Sequence, residues 1–132
     1  MSEIEYNFTI ADPETIGHIP ICEVAPPFDE LGCFLTLSYT RDNRGTRTCR
    51  RAYREVRDDH AKKITVATSE SGKAMIAFPD VIIRRYYADD NRDEPVEQVV
   101  PLEYFVEVLE EWRSFLRTFH RRENQRRREA AD

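Results

Sequence analysis

One apolar stripe near the C-terminus constrains the fold of this chain more than any other feature of its sequence. Its members follow one another at spacings of 3, 1, 3, 3, 4 and 3 residues, which places them on one side of an α-helix. Pro101 suits the first helical position, and early glutamates with late arginines match the polarity of the helix dipole. The stripe comprises Leu102, Phe105, Val106, Leu109, Trp112, Leu116 and Phe119. Such a helix has to bury its stripe, so the rest of the chain must supply a covering layer.

Several segments before this helix have patterns typical of β-strands, and we expect them to form that layer. Residues 4–10 alternate apolar and polar side chains, and residues 19–24 form a short apolar run that ends at two prolines. Residues 33–40 are rich in aromatic and β-branched side chains, which predicts a core strand. Residues 64–68 and 74–78 flank a short connection that contains Gly72, which predicts a β-hairpin. Two more strands are expected at 81–87 and 96–100.

The secondary structure of residues 47–60 is ambiguous. Their apolar side chains recur at helical spacing, but a strand paired with residues 64–68 is the alternative. We expect a short helix there. The fold class is therefore α+β, with a mostly antiparallel sheet of five to seven strands packed against the long C-terminal helix. Residues 1–120 are expected to form a single domain, and residues 121–132 a charged tail or a frayed extension of the helix.

The composition restricts the class of protein. The chain has 132 residues, 20 of them Lys or Arg and 25 Asp or Glu, and no window approaches the ~18 apolar residues of a membrane span. Its first residues lack the pattern of a secretion signal, so we expect a cytoplasmic protein. Cys22, Cys33 and Cys49 are odd in number and lack a metal-ligand spacing, which indicates buried or inert thiols.

Motifs typical of catalytic and cofactor sites are incomplete in this sequence. Ser71-Gly72-Lys73 fails as a phosphate-binding loop, because Ala74 stands where Ser or Thr should hold magnesium. Residues 89–100 fail as a calcium loop, because neither the turn glycine nor the final glutamate is present. We expect no cofactor, no metal and no enzymatic activity. A small acid–base ribonuclease remains an alternative, since the chain has three histidines, His18, His60 and His120.

Charge changes sign along the chain. Residues 1–40 contain seven carboxylates and no Lys or Arg, residues 41–57 contain seven arginines against two carboxylates, and residues 86–111 contain nine carboxylates against one arginine. Alternation of this kind creates strong local fields even though the net charge is only −5. It favours binding of a charged partner over catalysis.

The segment Val100-Pro101-Leu102-Glu103-Tyr104-Phe105-Val106-Glu107-Val108-Leu109-Glu110-Glu111-Trp112-Arg113-Ser114-Phe115-Leu116 follows an acidic loop and a short strand. This arrangement resembles the closing helix of small bacterial immunity proteins, which neutralise a cognate toxin of an interbacterial competition system. The resemblance covers about 30 residues and implies an inhibitor that covers the active site of a toxin, often a nuclease with a basic groove. A phage-encoded inhibitor of a host defence protein is a related alternative.

An acidic surface complements a basic groove and accelerates encounter with it. The sequence therefore predicts a protein-binding surface made of carboxylates with aromatic anchors. Its candidate residues are Asp89, Asp90, Asp93, Glu94, Glu97, Tyr86, Tyr87, Phe28, Asp29 and Glu30.

The alternative binding hypothesis concerns nucleic acid, because arginine neutralises phosphates and stacks on bases. The acidic total charge and the acidic flanking blocks speak against it. The candidate residues are Arg47, Arg50, Arg51, Arg54 and Arg57, within the basic segment 41–57.

Overall fold

Two strands, two helices, four strands and a final helix follow one another along the described part of the chain. A computed structural model describes residues 4–12, 18–39, 43–69, 72–86 and 96–131. The strands are β1 (Tyr6–Ala11), β2 (Ile19–Val24), β3 (Lys63–Ser69), β4 (Gly72–Ala77), β5 (Asp80–Arg85) and β6 (Val96–Pro101). The helices are α1 (Asp29–Leu37), α2 (Arg44–Asp58) and α3 (Leu102–Ala131). The α+β class and the long C-terminal helix are confirmed.

The described strands form two antiparallel sheets rather than one. The larger sheet has the order β3-β4-β5-β6, and the smaller consists of β1 and β2. The prediction of a single sheet of five to seven strands is therefore wrong. Helix α1 packs along β2, where the Cys22 amide donates to Thr36 Oγ1 at 2.9 Å and the same hydroxyl donates to the Cys22 carbonyl at 3.2 Å. A helix thus occupies the edge of β2 that another strand would need.

The strand predicted at residues 33–40 is also wrong, because residues 29–37 form α1. Leu31, Phe34 and Leu35 are fully buried, and their spacing of three and one is helical. Asp29 and Glu30 lie in the first turn, where negative charge interacts favourably with the helix dipole. Burial on one helical face outweighs the preference of β-branched and aromatic residues for strands.

The other main elements agree with the sequence predictions. The hairpin of β3 and β4 is confirmed, and so is the helix at 47–60, which runs as α2 from 44 to 58. Five members of the C-terminal stripe are buried, while Leu102 and Val106 are half-buried. Helix α3 continues through Ala131, well past its last buried residue, Phe119. Among the described residues, no helix has both the length and the apolar character needed to cross a membrane.

The two faces of the larger sheet differ. The inner face packs on the helices and consists of fully or nearly fully buried side chains, namely Val66, Ala74, Ile76, Val81, Ile83 and Val100. On the outer face, Thr65, Met75, Ile82 and Val99 are successive cross-strand partners that form one row across all four strands. Val99 is 52% exposed. An apolar row therefore faces outward on a sheet whose other face is covered by helices.

Gly32 allows the close packing of α1 on β2, which yields a prediction for stability. A Cβ atom at this position would lie 2.8 Å from the Cys22 carbonyl oxygen and 2.9 Å from the Val24 amide nitrogen. Both are backbone atoms, so the helix would have to shift. We expect Gly32→Ala to lower the free energy of unfolding by about 1–3 kcal/mol, as for other overpacked sites. Urea denaturation measures the change, and Ser114→Ala on the exposed side of α3 is the matched control. Equal midpoints for the two variants would contradict this packing.

Candidate functional site

The predicted acidic surface is only partly described. Asp89, Asp90, Asp93, Glu94 and Tyr87 lie outside the described residues. The remaining candidates form two groups that flank β6 from opposite faces of the sheet.

The first group lies on the outer face of the sheet. Tyr86 follows β5 directly and is 42% exposed. Glu97 accepts hydrogen bonds from Arg84, with the Arg84 Nη2 to Glu97 Oε2 distance at 2.6 Å. The pKa of Arg84 is raised by this hydrogen bond and by the charge of Glu97. The carboxylate of Glu97 is thus already paired within the chain.

The second group begins α1 and contacts the inner side of β6. Gln98 accepts from the Glu30 amide at 2.9 Å and donates to the Asp29 carboxylate at 3.2 Å. Glu30 is only 7% exposed, and its carboxylate faces the Arg85 guanidinium at 4.0 Å. Phe28 is half-buried against Tyr104, with ring centroids 5.6 Å apart. Asp29 is the member of this group with an exposed side chain, and Glu30 offers no surface contact.

The arginines of α2 have divergent environments. Arg50 pairs with Glu110 of α3 at 3.0 Å, and Arg57 pairs with Asp58 at 3.2 Å. Arg51 and Arg54 are exposed, and Arg47 lies beside α3. The five positions share one side of α2, opposite its buried residues, but Arg50 and Arg57 are already paired with carboxylates.

Glu110 is the centre of the contact between α2 and α3. Its Oε1 accepts from the Tyr53 hydroxyl at 2.8 Å and from Arg50 Nε at 3.0 Å, while its Oε2 accepts from Arg113 at 3.2 Å. Burial opposes ionisation of Glu110, but the Tyr53 hydrogen bond and the two arginines outweigh it and hold the pKa of this carboxyl below its ordinary value. Arg50 is consequently a structural partner of Glu110.

A short arginine-lined groove lies beside this contact, and we term it the arginine seam. It is formed by Asn43, Thr46 and Arg47 of the α2 end and by Arg113 and Arg117 of α3, around a cavity of about 200 Å³. Helices α2 and α3 run antiparallel here, since Asn43 contacts His120 while Tyr53 contacts Glu110. This direction brings Arg47 of α2 next to Arg113 and Arg117 of α3.

A larger cavity, of about 520 Å³, continues from the arginine seam, with which it shares Asn43 and Arg117. We term it the histidine pocket because both His18 and His120 line it. His120 contacts Asn43 Oδ1 at 3.1 Å and stacks on Tyr39 with ring centroids 5.7 Å apart. Asn43 has a left-handed backbone, with φ of 59°, and such strained residues concentrate at functional sites.

The pocket was not predicted from the sequence. The sequence does predict that one face of α3 is shared by the residues at helical spacing, namely positions 117, 120, 121, 124 and 127. The sequence does not predict that His18 lies near His120, because the two residues are 102 positions apart and meet only through tertiary packing.

His18 makes several contacts at the margin of the pocket. Its ring nitrogens lie 3.4 Å from an Asp12 oxygen and 3.0 Å from a Glu123 oxygen, and an Arg126 nitrogen lies within 2.6 Å of both. Because both ring nitrogens face carboxylates, neither is positioned to give a proton to a substrate. The arrangement therefore favours a structural tie between residue 18 and α3 over the acid–base role considered for the histidines.

Other reactive groups do not form a site in the described chain. Burial raises the pKa of the Cys22 and Cys49 thiols to about 12, and burial together with Glu30 raises the pKa of Cys33. Nucleophilic cysteines need a lowered pKa, so these thiols lack that activation. Among the described residues, no group of three or more His, Cys, Asp or Glu side chains is arranged to hold a metal ion.

His120 gives a prediction about the pH dependence of stability. Burial lowers the pKa of its imidazole, although Glu123 acts in the opposite direction. The neutral ring is therefore favoured in the folded state, and its stabilising contribution is present above the unfolded-state pKa of about 6.5 and lost as pH falls through the folded-state pKa. Between pH 7.5 and pH 5, wild type should lose more stability than His120→Gln.

Urea denaturation at several pH values measures this difference, and Thr118→Gln on the exposed side of α3 is the control. Titration of the His120 ring protons by NMR reports the same equilibrium directly. A titration midpoint above about 6.5 would contradict the prediction.

Comparisons with known proteins provide no relative for this chain. No protein-family model matches it, and neither the curated proteins nor the solved structures contain a match. The function has to be inferred from the residues of the site themselves.

Proposed function

We propose that this protein binds nucleic acid through the arginine seam and the adjoining basic surfaces of α2 and α3. One observation carries the proposal: the antiparallel packing of these helices places Arg47 beside Arg113 and Arg117 around one groove. Guanidinium groups bind phosphate oxygens with two parallel hydrogen bonds, so a row of them fits a phosphodiester backbone.

The surrounding charges support the proposal. Helix α2 and the part of α3 from 113 to 131 together hold thirteen arginines and four carboxylates. The rest of the chain holds seven basic and twenty-one acidic residues. Positive and negative charges are therefore concentrated in different parts of the chain, and the net charge of −5 describes neither part.

Because salt screens electrostatic interactions, a bound ligand is affected more by the charges near it than by the net charge of the protein. The Debye length is about 8 Å at physiological ionic strength. Four of the six glutamates of α3 precede residue 112 and centre near residue 108, whereas its seven arginines centre near residue 122, about 20 Å away at the helical rise of 1.5 Å per residue. A strand bound at the arginine seam therefore experiences the arginines there more than these four glutamates, of which Glu110 alone is bonded to a described seam residue, Arg113, at 3.2 Å. The acidic total charge thus does not exclude a nucleic-acid partner.

A double substitution in the seam tests the proposal. We expect Arg47→Gln with Arg117→Gln to weaken binding of a fluorescent single-stranded oligonucleotide about tenfold or more, because charge-assisted hydrogen bonds are lost. The slope of log K against log salt should fall in magnitude by about 1.4, since each lost phosphate contact contributes about 0.7. Fluorescence anisotropy from 50 to 200 mM salt measures both quantities.

The matched control removes two positive charges elsewhere. Lys62 and Lys63 are exposed near the start of β3, remote in sequence from the seam, and Lys62→Gln with Lys63→Gln should retain affinity and slope. Equal weakening by the two double variants would attribute binding to general charge and contradict the seam. If the protein binds anionic lipid vesicles but not oligonucleotides, the proposal is contradicted and the ligand of the seam is a membrane surface.

A second candidate function is the protein-binding inhibitor implied by the resemblance to immunity proteins. The observation that favours it is the apolar row on the outer face of the larger sheet, next to Tyr86 and Glu97. An exposed apolar patch with a polar rim is typical of protein interfaces. Segment 87–95, which joins β5 and β6 in the sequence, has four carboxylates against one arginine, a composition that suits a basic partner.

A charge placed in the row tests this function. Val99→Arg should abolish the copurification of a toxin encoded beside this protein, because a buried guanidinium would lack a partner in the interface. Ala61→Arg, at an exposed turn position, is the control for added charge. Retention of the toxin by Val99→Arg at wild-type levels would exclude the outer face as the inhibitory surface.

A further inference from the structure

The histidine pocket combines features that the arginine seam lacks. It is bounded by the second half of α3, the start of α2, and residues 18 and 39. Its lining side chains are charged, aromatic and amide in type. They include Arg117, Arg121, Arg127, Tyr39, His120 and Asn124.

The pocket carries more positive charge than its own carboxylate neutralises. No ion pair or side-chain hydrogen bond joins Arg117, Arg121 or Arg127 to any other residue in the described ranges. Glu123 is the carboxylate in the lining, and it is engaged by His18 at 3.0 Å and by Arg126 at 3.7 Å. Three guanidinium groups therefore repel one another around one cavity, and an anion with more than one negative charge would relieve that repulsion.

The remaining wall suits a flat aromatic group. Tyr39 and His120 stack with an interplanar angle of 19°, and Phe119 packs edge-on against both. Asn43 and Asn124 add amide groups, which can donate to and accept from a base edge. A cavity of about 520 Å³ falls in the usual range for small ligands. Phosphate alone would leave the aromatic side unused, whereas a nucleotide supplies both a phosphate and a base.

We propose that the histidine pocket binds the phosphorylated terminal nucleotide of a strand that lies in the arginine seam. This inference rests on the proposed nucleic-acid binding. The seam and the pocket share Asn43 and Arg117, so a strand can pass from one to the other. A terminal phosphate carries between one and two negative charges near neutral pH, against one for an internal phosphodiester. The additional charge matches the three arginines of the pocket.

Oligonucleotides that differ only at their ends test the inference. Fluorescence anisotropy is measured for one sequence with a 5′-phosphate, with a 3′-phosphate, or with two hydroxyl ends. We expect one phosphorylated form to bind about tenfold more tightly than the hydroxyl form, because charge-assisted hydrogen bonds are gained. Arg121→Gln with Arg127→Gln should remove this preference, because the affinity for the phosphorylated form falls more than the affinity for the hydroxyl form.

Arg128→Gln is the control for the loss of one positive charge on α3, since this exposed arginine does not line the pocket. It should keep the end preference. Equal affinity of wild type for all three oligonucleotides would overturn the inference while the proposed function stands. Equal loss of preference in Arg128→Gln and in the double variant would also overturn it, because charge alone would then explain the effect.

A separate measurement addresses the pocket if no oligonucleotide binds. Adenosine monophosphate and inorganic phosphate are titrated into the full chain, and NMR follows the ring protons of His120. We expect the monophosphate to shift these signals at concentrations at least tenfold lower than phosphate, because the aromatic wall adds stacking on the base. Shifts by the monophosphate without oligonucleotide binding would support the nucleotide pocket and contradict the seam. Equal effects of the two ligands would overturn nucleotide recognition.

Discussion

The burial of α3 is the constraint on which the rest of the fold depends. Trp112 is fully buried, and Phe8 of the smaller sheet packs against both Trp112 and Phe115, with ring centroids 5.5 and 5.3 Å away. The Trp112 Nε1–H has no hydrogen-bond partner in the described structure, so this side chain stabilises the fold through packing rather than polar contacts. The same helix contacts β5 and β6 of the larger sheet. One apolar stripe thus joins two sheets that share no strand, and neither sheet would have a complete core without it.

The position of α3 also determines where charge accumulates. Its first half lies against the sheets and carries four glutamates, of which Glu110 fixes α2 through Tyr53 and Arg50. From residue 112 onward it carries seven arginines against two glutamates, and after Phe119 it extends beyond the core. Because α2 runs antiparallel to α3, with Tyr53 at Glu110 and Asn43 at His120, the arginine-rich start of α2 lies beside this part of α3. The direction in which the two helices pack therefore brings their arginines together into one basic surface.

The sequence predicted the elements whose pattern is local and strong. The C-terminal stripe and the hairpin of β3 and β4 were found because period and turn chemistry agree within a few residues. Residues 33–40 were assigned to a strand because Phe34, Thr36 and Tyr39 favour one locally. Their helical state depends on burial of Leu31 and Leu35 and on the contact of Gly32 with the β2 backbone, neither of which a local pattern contains.

The candidate site was predictable to a smaller extent than the fold, for the same physical reason. The arginines of α2 were identified as a group, yet Arg50 is fixed by a carboxylate 60 residues away. The meeting of Arg47 with Arg117, and of His18 with His120, depends on the direction in which two helices pack. Charge counted along a sequence averages over residues that packing separates by more than a Debye length, which is about 8 Å at physiological salt. The sign of the total, −5, therefore argued against a polyanionic ligand, whereas the distribution of charge in three dimensions favours one at this end of the molecule.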